Sequence, residues 1–336
     1  MESRKVQTVG NGTYTVSLPK EWAESQGVTA GDTVTLHDHI DGVLAVQTED
    51  GCDADAPPDA RIESTDADVI ERALRAAYAA GAREVTLERD EPLTPTQRRV
   101  VERIARGRIG MSVAAESETT TTVRIMLDSA EVSVSQSLRQ LAFTVRSMHC
   151  DAIEALSAAP DASPVDSRDD QVERLAAMIE RSVSRGAADL GEVDALGATR
   201  PELFESWTAM RDLRRIRDAA AEIADAAVAL DDPPAESRLA SCREVGRAVR
   251  EIAAAGVSVV LGDERAGVAR DAIGDLREAR DRIDALDRRL DEAGASAAEL
   301  RRVSRALRRS AEHAGDVAEI GLRRAVRCGE PVRDAE

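Results

Sequence analysis

The sequence predicts a multidomain protein in three parts: an amino-terminal all-β hairpin domain, a small α/β connector, and a carboxy-terminal all-α region of two tandem three-helix bundles. Three observations predict it. The apolar period changes from two residues near the start to steps of three and four after about residue 130. A polar stretch with Gly51, Pro57, Pro58 and several aspartates sets off the first 50 residues. One helical segment recurs at an offset of 94 residues, from Arg211 to Arg305. At 336 residues the chain is long enough for two or three separate cores.

The first part, residues 1–50, contains β-favouring runs at Val6 to Val9, Thr13 to Leu18, Thr33 to Leu36 and Val43 to Val46. Asn11-Gly12 and Asp41-Gly42 mark hairpin turns. Between the middle runs Pro19 sits where a helix can begin, and Gly27 is suited to end it. The expected unit is β-β-short α-β-β. Four short strands bury too little surface to be stable alone, so a homodimer is expected.

Residues 51–65 are predicted to be a linker. The connector, residues 66–128, is predicted to hold a helix from Asp68 to Ala80, a strand at Glu84 to Leu87, a helix from Thr96 to Arg106, and strands near Met111 to Ala114 and Thr121 to Leu127. No chemistry is visible in it.

The helical part, residues 129–330, carries the stripe of an antiparallel bundle, with Val134, Leu138, Leu141, Val145 and Met148 on its first helix and Leu300, Val303, Leu307, Ala314 and Val317 on its last. Breaks at Asp161 to Pro164, Gly197 to Pro201, Asp231 to Pro234, Gly262-Asp263 and Gly294 divide it into six helices. The recurring segment pairs Arg211-x-Leu213-Arg214-Arg215-x-x-Asp218-x-Ala220-x-Glu222 with Arg305-x-Leu307-Arg308-Arg309-x-x-Glu312-x-Ala314-x-Asp316. Two copies of three helices follow, at residues 131–230 and 235–328.

Composition narrows the function classes. Aromatic residues are 2% of the chain, so the cores must be built from Ala, Val, Leu and Ile, which suits close-packed helices better than large cavities. The longest apolar runs, such as Gly256 to Gly262, fall well short of the roughly 18 residues needed to cross a bilayer. A cytoplasmic chain without membrane insertion is expected. Cys52, Cys150, Cys242 and Cys328 stand singly, as reduced thiols rather than a disulfide framework. The formal charge is -18, and Lys5 and Lys20 are the only lysines. Such a surface resists aggregation where salt screens its repulsion, so a very salty, halophilic cytoplasm is expected. The acidity argues against indiscriminate nucleic-acid binding, which draws most of its affinity from phosphate neutralisation.

The stretch from Arg4-Lys5-Val6 through Asn11-Gly12-Thr13-Tyr14 to Pro19-Lys20-Glu21-Trp22, followed by Gly27-Val28-x-x-Gly31-Asp32-x-Val34, resembles the AbrB/MazE/SpoVT family. The resemblance implies that two chains swap hairpins into one small barrel that sits on DNA. It also implies a DNA-facing surface of Arg4, Lys5, Thr8, Asn11, Thr13, Tyr14, Ser17 and Lys20. Arginine and lysine pair with phosphates or guanine edges, and Asn and Thr reach base edges. Residues 1–50 depart from a basic domain, with three basic and eight acidic side chains. A purely dimerising role is the competing expectation.

The duplicated helices, with Arg-x-Leu-x-Arg and a following acidic-x-Ala on the third helix of each copy, resemble PhoU, the family that regulates phosphate uptake and signalling. The fusion of both resemblances is itself similar to an archaeal, haloarchaeal-like type. Likeness to PhoU implies divalent or ferric metal ions held by a Glu-x-x-x-Asp pair on each third helix. Here Arg214 and Arg308 stand at the first position of that pair. A turn further along, Asp218, Glu222 and Asp225 in one copy and Glu312, Asp316 and Glu319 in the other restore acidic spacing for a displaced metal site. The same carboxylates serve equally as ion-pair partners of Arg214, Arg215, Arg308 and Arg309. His37 and His39 are expected to be solvated hairpin residues, and His313, beside Glu312, is the one histidine near the acidic face.

No phosphate loop, GxSxG elbow or HExxH motif is present, and enzymatic activity is not expected. The two resemblances together imply a dimeric, DNA-binding transcriptional regulator of phosphate homeostasis. The alternatives are an adaptor that regulates a phosphate-transporter ATPase or a sensor kinase by protein contact, and an antitoxin-like role implied by the hairpin family.

Overall fold

The computed structural model describes residues 3–10, 12–40, 42–48, 59–157, 166–292 and 298–333. The chain divides into two compact units, Met1–Ala56 and Pro57–Glu336. In the first, β1 (Gln7–Val9) pairs antiparallel with β2 (Thr13–Thr15), and β3 (Val34–His39) with β4 (Val43–Thr48). Asn11 and Asp41, the leading residues of the two predicted turns, lie outside the described residues. Helix α1 (Lys20–Ser25) starts after Pro19 and gives way to Gly27 at φ 69°. The following turn is tied by Asp32, whose carboxylate accepts from the Thr29 backbone N–H at 2.7 Å and its hydroxyl at 2.9 Å.

This unit encloses no apolar core among its described residues. Val6, Val9, Tyr14, Val16, Leu36 and Leu44 are all more than half exposed. Of the described residues here, His39 alone is buried, at 2% exposure. That corrects the expectation of a solvated pair. Strand alternation sends His37 and His39 to the face of Thr35, away from that of exposed Leu36 and Leu44.

The second unit opens with a four-stranded mixed sheet in the order β5-β6-β8-β7. Strand β5 (Ala60–Ile62) runs parallel to β6 (Glu84–Glu88), while β8 (Thr120–Ile125) is antiparallel to both β6 and β7 (Met111–Glu116). β5 falls inside the segment predicted to be linker, because three residues are too few to display alternation. Helices α2 (Ala67–Ala80) and α3 (Pro95–Arg106) complete a core around Ile70, Leu74, Tyr78, Val85, Val101 and Val123. Asp66 caps α2, and Thr94 with Gln97 forms a reciprocal capping box on α3.

The helical region follows: α4 (Val134–Ala155), α5 (Asp166–Ala188), α6 (Leu190–Leu196), α7 (Arg200–Val228), α8 (Glu236–Val260), α9 (Ala266–Glu292) and α10 (Ala298–Arg327). Helices α4, α5 and α7 pack as one triplet and α8, α9 and α10 as the other, with α7 against α10 and α4 against α8 between them. Their small aliphatic side chains form one continuous core. The breaks at Gly197, at φ 61°, and at Gly262, at φ 76°, fall between helices as predicted, whereas 161–164 and Gly294 lie outside the described residues.

Short α6 is an addition to the six predicted helices. Asp189 leaves the helical conformation at φ -133° and its carboxylate accepts from the Gly191 N–H, restarting the helix. Arg181 on α5 joins this region to the sheet domain. It is 1% exposed, donates to the Tyr78 carbonyl at 2.9 Å and lies over the Tyr78 ring. Burial pulls its pKa down to about 10. Cys150, Cys242 and Cys328 are free thiols, and burial pushes the Cys242 thiol up to about 12. Among the described residues no helix is long and apolar enough to cross a membrane.

Candidate functional site

The hairpin residues singled out for DNA are all exposed where described: Arg4, Lys5, Thr8, Thr13, Tyr14, Ser17 and Lys20. Asn11 lies outside the described residues. The register divides the set between two faces of the β1–β2 ribbon. Thr8 stands opposite Tyr14 on one face, while Thr13 stands opposite Val9 on the other. Lys20 leans on Glu24 at 3.5 Å in a largely exposed pair, which leaves its charge available to an anion.

On the third helices, the two arginines at unexpected positions do the same job in both copies. Arg214 of α7 reaches Glu173 on α5 at 2.8 Å, and Arg308 of α10 reaches Asp284 and Asp287 on α9 at 2.7 and 2.8 Å. Each therefore ties the third helix of its bundle to the second. Arg217 adds Asp169 and Glu173, so Glu173, although half-buried, is held below the usual carboxylate range by the two guanidiniums against the opposing effect of burial.

The six carboxylates expected to restore a metal site do not converge. Asp218 pairs with Arg217 at 3.1 Å, and Glu222 pairs with Arg309 across the seam between the two bundles. Asp225, Glu312 and Glu319 are exposed along the same helices. Among the described residues the one group of acidic, His or Cys side chains whose ligand atoms meet is Asp212, His313 and Asp316, all within 4.8 Å of one another. Asp212 escaped the sequence reading because it lies before the repeated acidic positions and has Ala306 as its counterpart in the second copy.

The cluster spans α7 and α10. His313 Nδ1 lies 3.2 Å from Asp212 Oδ1 and 3.4 Å from Asp316 Oδ2. The hydrogen bond to Asp212 is the main reason the His313 pKa is raised, with partial burial opposing it. Asp316 is also raised, first by burial and then by repulsion from Asp212. One imidazole nitrogen and two carboxylates suit a proton or a divalent transition metal, and the two would compete for the same atoms.

The fold is thus a hairpin unit joined to an α/β sheet domain and a duplicated helical bundle. Residues 7–50 match the family model described as antidote-toxin recognition MazE, bacterial antitoxin, and residues 138–227 match that of the PhoU domain. No curated protein matches the chain. The PhoU match ends at the last turn of α7, and the internal repeat relates a segment of α10 to one of matched α7.

Proposed function

We propose that the chain is a homodimeric, DNA-binding regulator of phosphate homeostasis. The observation that supports this best is the exposure of both apolar faces of the hairpin unit in a single chain that also carries a PhoU domain. A second copy is the occupant that would cover Val6, Val16, Leu36 and Leu44, since strands this short do not hold such surface in water unaided. Pairing would present Arg4, Lys5, Thr8, Thr13, Tyr14, Ser17 and Lys20, with Asn11, twice about a two-fold axis, suited to a two-fold DNA site. The helical region would shift the dimer between competent and incompetent arrangements when a signal prefers one of them. A gel-shift against promoters of phosphate-transport genes tests this. Retardation by the intact protein is expected to fall at least tenfold in the paired Arg4→Ala, Lys5→Ala variant, and equal retardation by both would sink the surface.

The acidic excess of the first 50 residues favours a second reading, an adaptor whose hairpins only dimerise while the bundles engage a phosphate-transporter ATPase or a sensor kinase. Capture of such an ATPase without any DNA retardation would select it. In either reading, a divalent ion would be held by Asp212, His313 and Asp316, not by the wider set of Asp218, Glu222, Asp225, Glu312 and Glu319. Paramagnetic Mn²⁺ is expected to broaden the His313 ring signals first at pH 8. Earlier broadening around Asp225 or Glu319 would reject that assignment.

A further inference from the structure

A cleft lies at the seam of the two bundles, lined by residues other than those of the His313 cluster. Helices α4, α7 and α8 line this half-open cleft of about 250 Å³. Its walls are aliphatic, with Val145, Leu213, Ile216, Val249, Ala253 and Val257. Behind this lining lies His149 of α4, which is 0% exposed and finds no hydrogen-bond partner for either ring nitrogen. Arg250 of α8 lines the same cavity, and its buried Nη1 is equally unpartnered. Buried polar atoms are satisfied in the great majority of native structures, so three such atoms around one cavity require an explanation.

Charge narrows it. Arg139 at the rim is paired with Asp263 at 2.6 Å, but Arg146 and Arg250 have no carboxylate partner among the described residues. Two uncompensated cations beside an apolar chamber are unusual in a chain of formal charge -18. Burial and the nearby Arg250 charge pull the His149 pKa down to about 3, so the ring is neutral and offers one N–H donor at neutral pH.

We infer that this cavity is a binding site for a small organic monoanion, an apolar body of about ten non-hydrogen atoms bearing one carboxylate. The size follows from scaling: a buried apolar cavity of about 150 Å³ already accepts benzene. Both donors are closed to water in the empty cleft, so the carboxylate accepts from the His149 N–H and the Arg250 Nη1–H after side-chain rotations that turn them toward it, and the apolar body rests on the aliphatic walls. Phe143, 73% exposed at the rim, supplies an aromatic edge over the entrance. Because α4 and α7 belong to one bundle and α8 to the other, an occupant touches both halves of the duplication. The site stands whether or not the hairpins bind DNA.

Benzoate is a probe of the right size, with benzyl alcohol and inorganic phosphate as comparators, titrated calorimetrically into the intact protein in molar potassium chloride. Saturable benzoate binding is expected, at least tenfold tighter than benzyl alcohol and indifferent to phosphate, with a change in the His149 ring ¹⁵N shifts. His149→Leu and Arg250→Met are each expected to weaken it at least tenfold. His149→Leu should melt no lower than the parent, since it removes buried unpartnered nitrogens, and that separates lost binding from lost folding. Ala253→Leu, which fills the chamber, should abolish binding. No saturation by 10 mM benzoate, as an order-of-magnitude ceiling for a specific site, would overturn the inference. So would equal affinity for the alcohol, or benzoate binding that survives both substitutions.

Discussion

Replacing Gly256 by alanine probes how closely the second bundle is packed. A Cβ at Gly256 of α8 would sit 2.6 Å from the Ala318 nitrogen, 2.7 Å from the Val317 carbonyl carbon and 2.8 Å from the Ala318 Cα, all backbone atoms of α10. Carbon contacts are at their best near about 3.5–4.0 Å, so the helices must part by close to an ångström. The facing residue is Gly321, whose own added Cβ would meet the Gly256 carbonyl oxygen at 2.9 Å, so the approach relies on small residues from both sides. Overpacking of this kind costs about 1–3 kcal/mol, and the better helix propensity of alanine returns up to about 1 kcal/mol. The net loss is about 1–2 kcal/mol, or roughly 2–8 °C in melting temperature for a unit of this size. Gly274 on α9 is the internal control, because nothing lies within 4 Å of its added Cβ. Gly274→Ala should gain about 0.5–1 kcal/mol. Circular-dichroism melts of both variants at fixed salt provide the comparison. If Gly256→Ala melts at or above the parent, as Gly274→Ala should, the close α8–α10 contact is refuted.

Three further outcomes follow from the side-chain chemistry. Glu205 is almost fully buried and accepts two hydrogen bonds from Arg327 at 3.0 and 2.9 Å, so Glu205→Gln should lower stability by about 2 kcal/mol in denaturant titrations, discounted because Arg327 is partly solvated. A loss under 0.5 kcal/mol would show the α7–α10 clamp to be idle, by the usual scatter of surface changes. The raised pKa of His313 stabilises the fold fully below the unfolded value of about 6.5, and that contribution disappears as pH rises through the folded value. Asp212→Asn should therefore lower the His313 pKa in an NMR titration and cost more stability at pH 6 than at pH 9, and an unmoved titration curve would contradict the pairing. Finally, with a formal charge of -18 the protein should melt higher in molar potassium chloride than in dilute buffer, and the reverse order would dismiss adaptation to a salty cytoplasm.

The periodicity of the sequence carried most of the architecture, because long helices with Leu, Val and Ala at steps of three and four have one way to bury their stripe. Features set by single contacts were harder to see. β5 is too short to alternate, and α6 depends on one aspartate capping its own chain. Arg214 and Arg308 show why spacing alone does not assign partners. Four-residue spacing puts carboxylates on one helical face, but their partners come from neighbouring helices, so Glu222 goes to Arg309 and Asp218 to Arg217. Asp212 joins His313 from 101 residues away, a distance no local pattern spans. His149 sits on the apolar stripe of α4, and only the packing of α8 beside it shows that its nitrogens are left without partners.

The proposal that two chains complete one hairpin unit carries the DNA-binding reading, and light scattering of the intact protein at micromolar concentration tests it most directly. The expected mass is twice the 36.0 kDa of one chain and should persist on dilution and at high salt, where apolar contacts strengthen. A single-chain mass with the hairpin strands still protected from hydrogen exchange would contradict it.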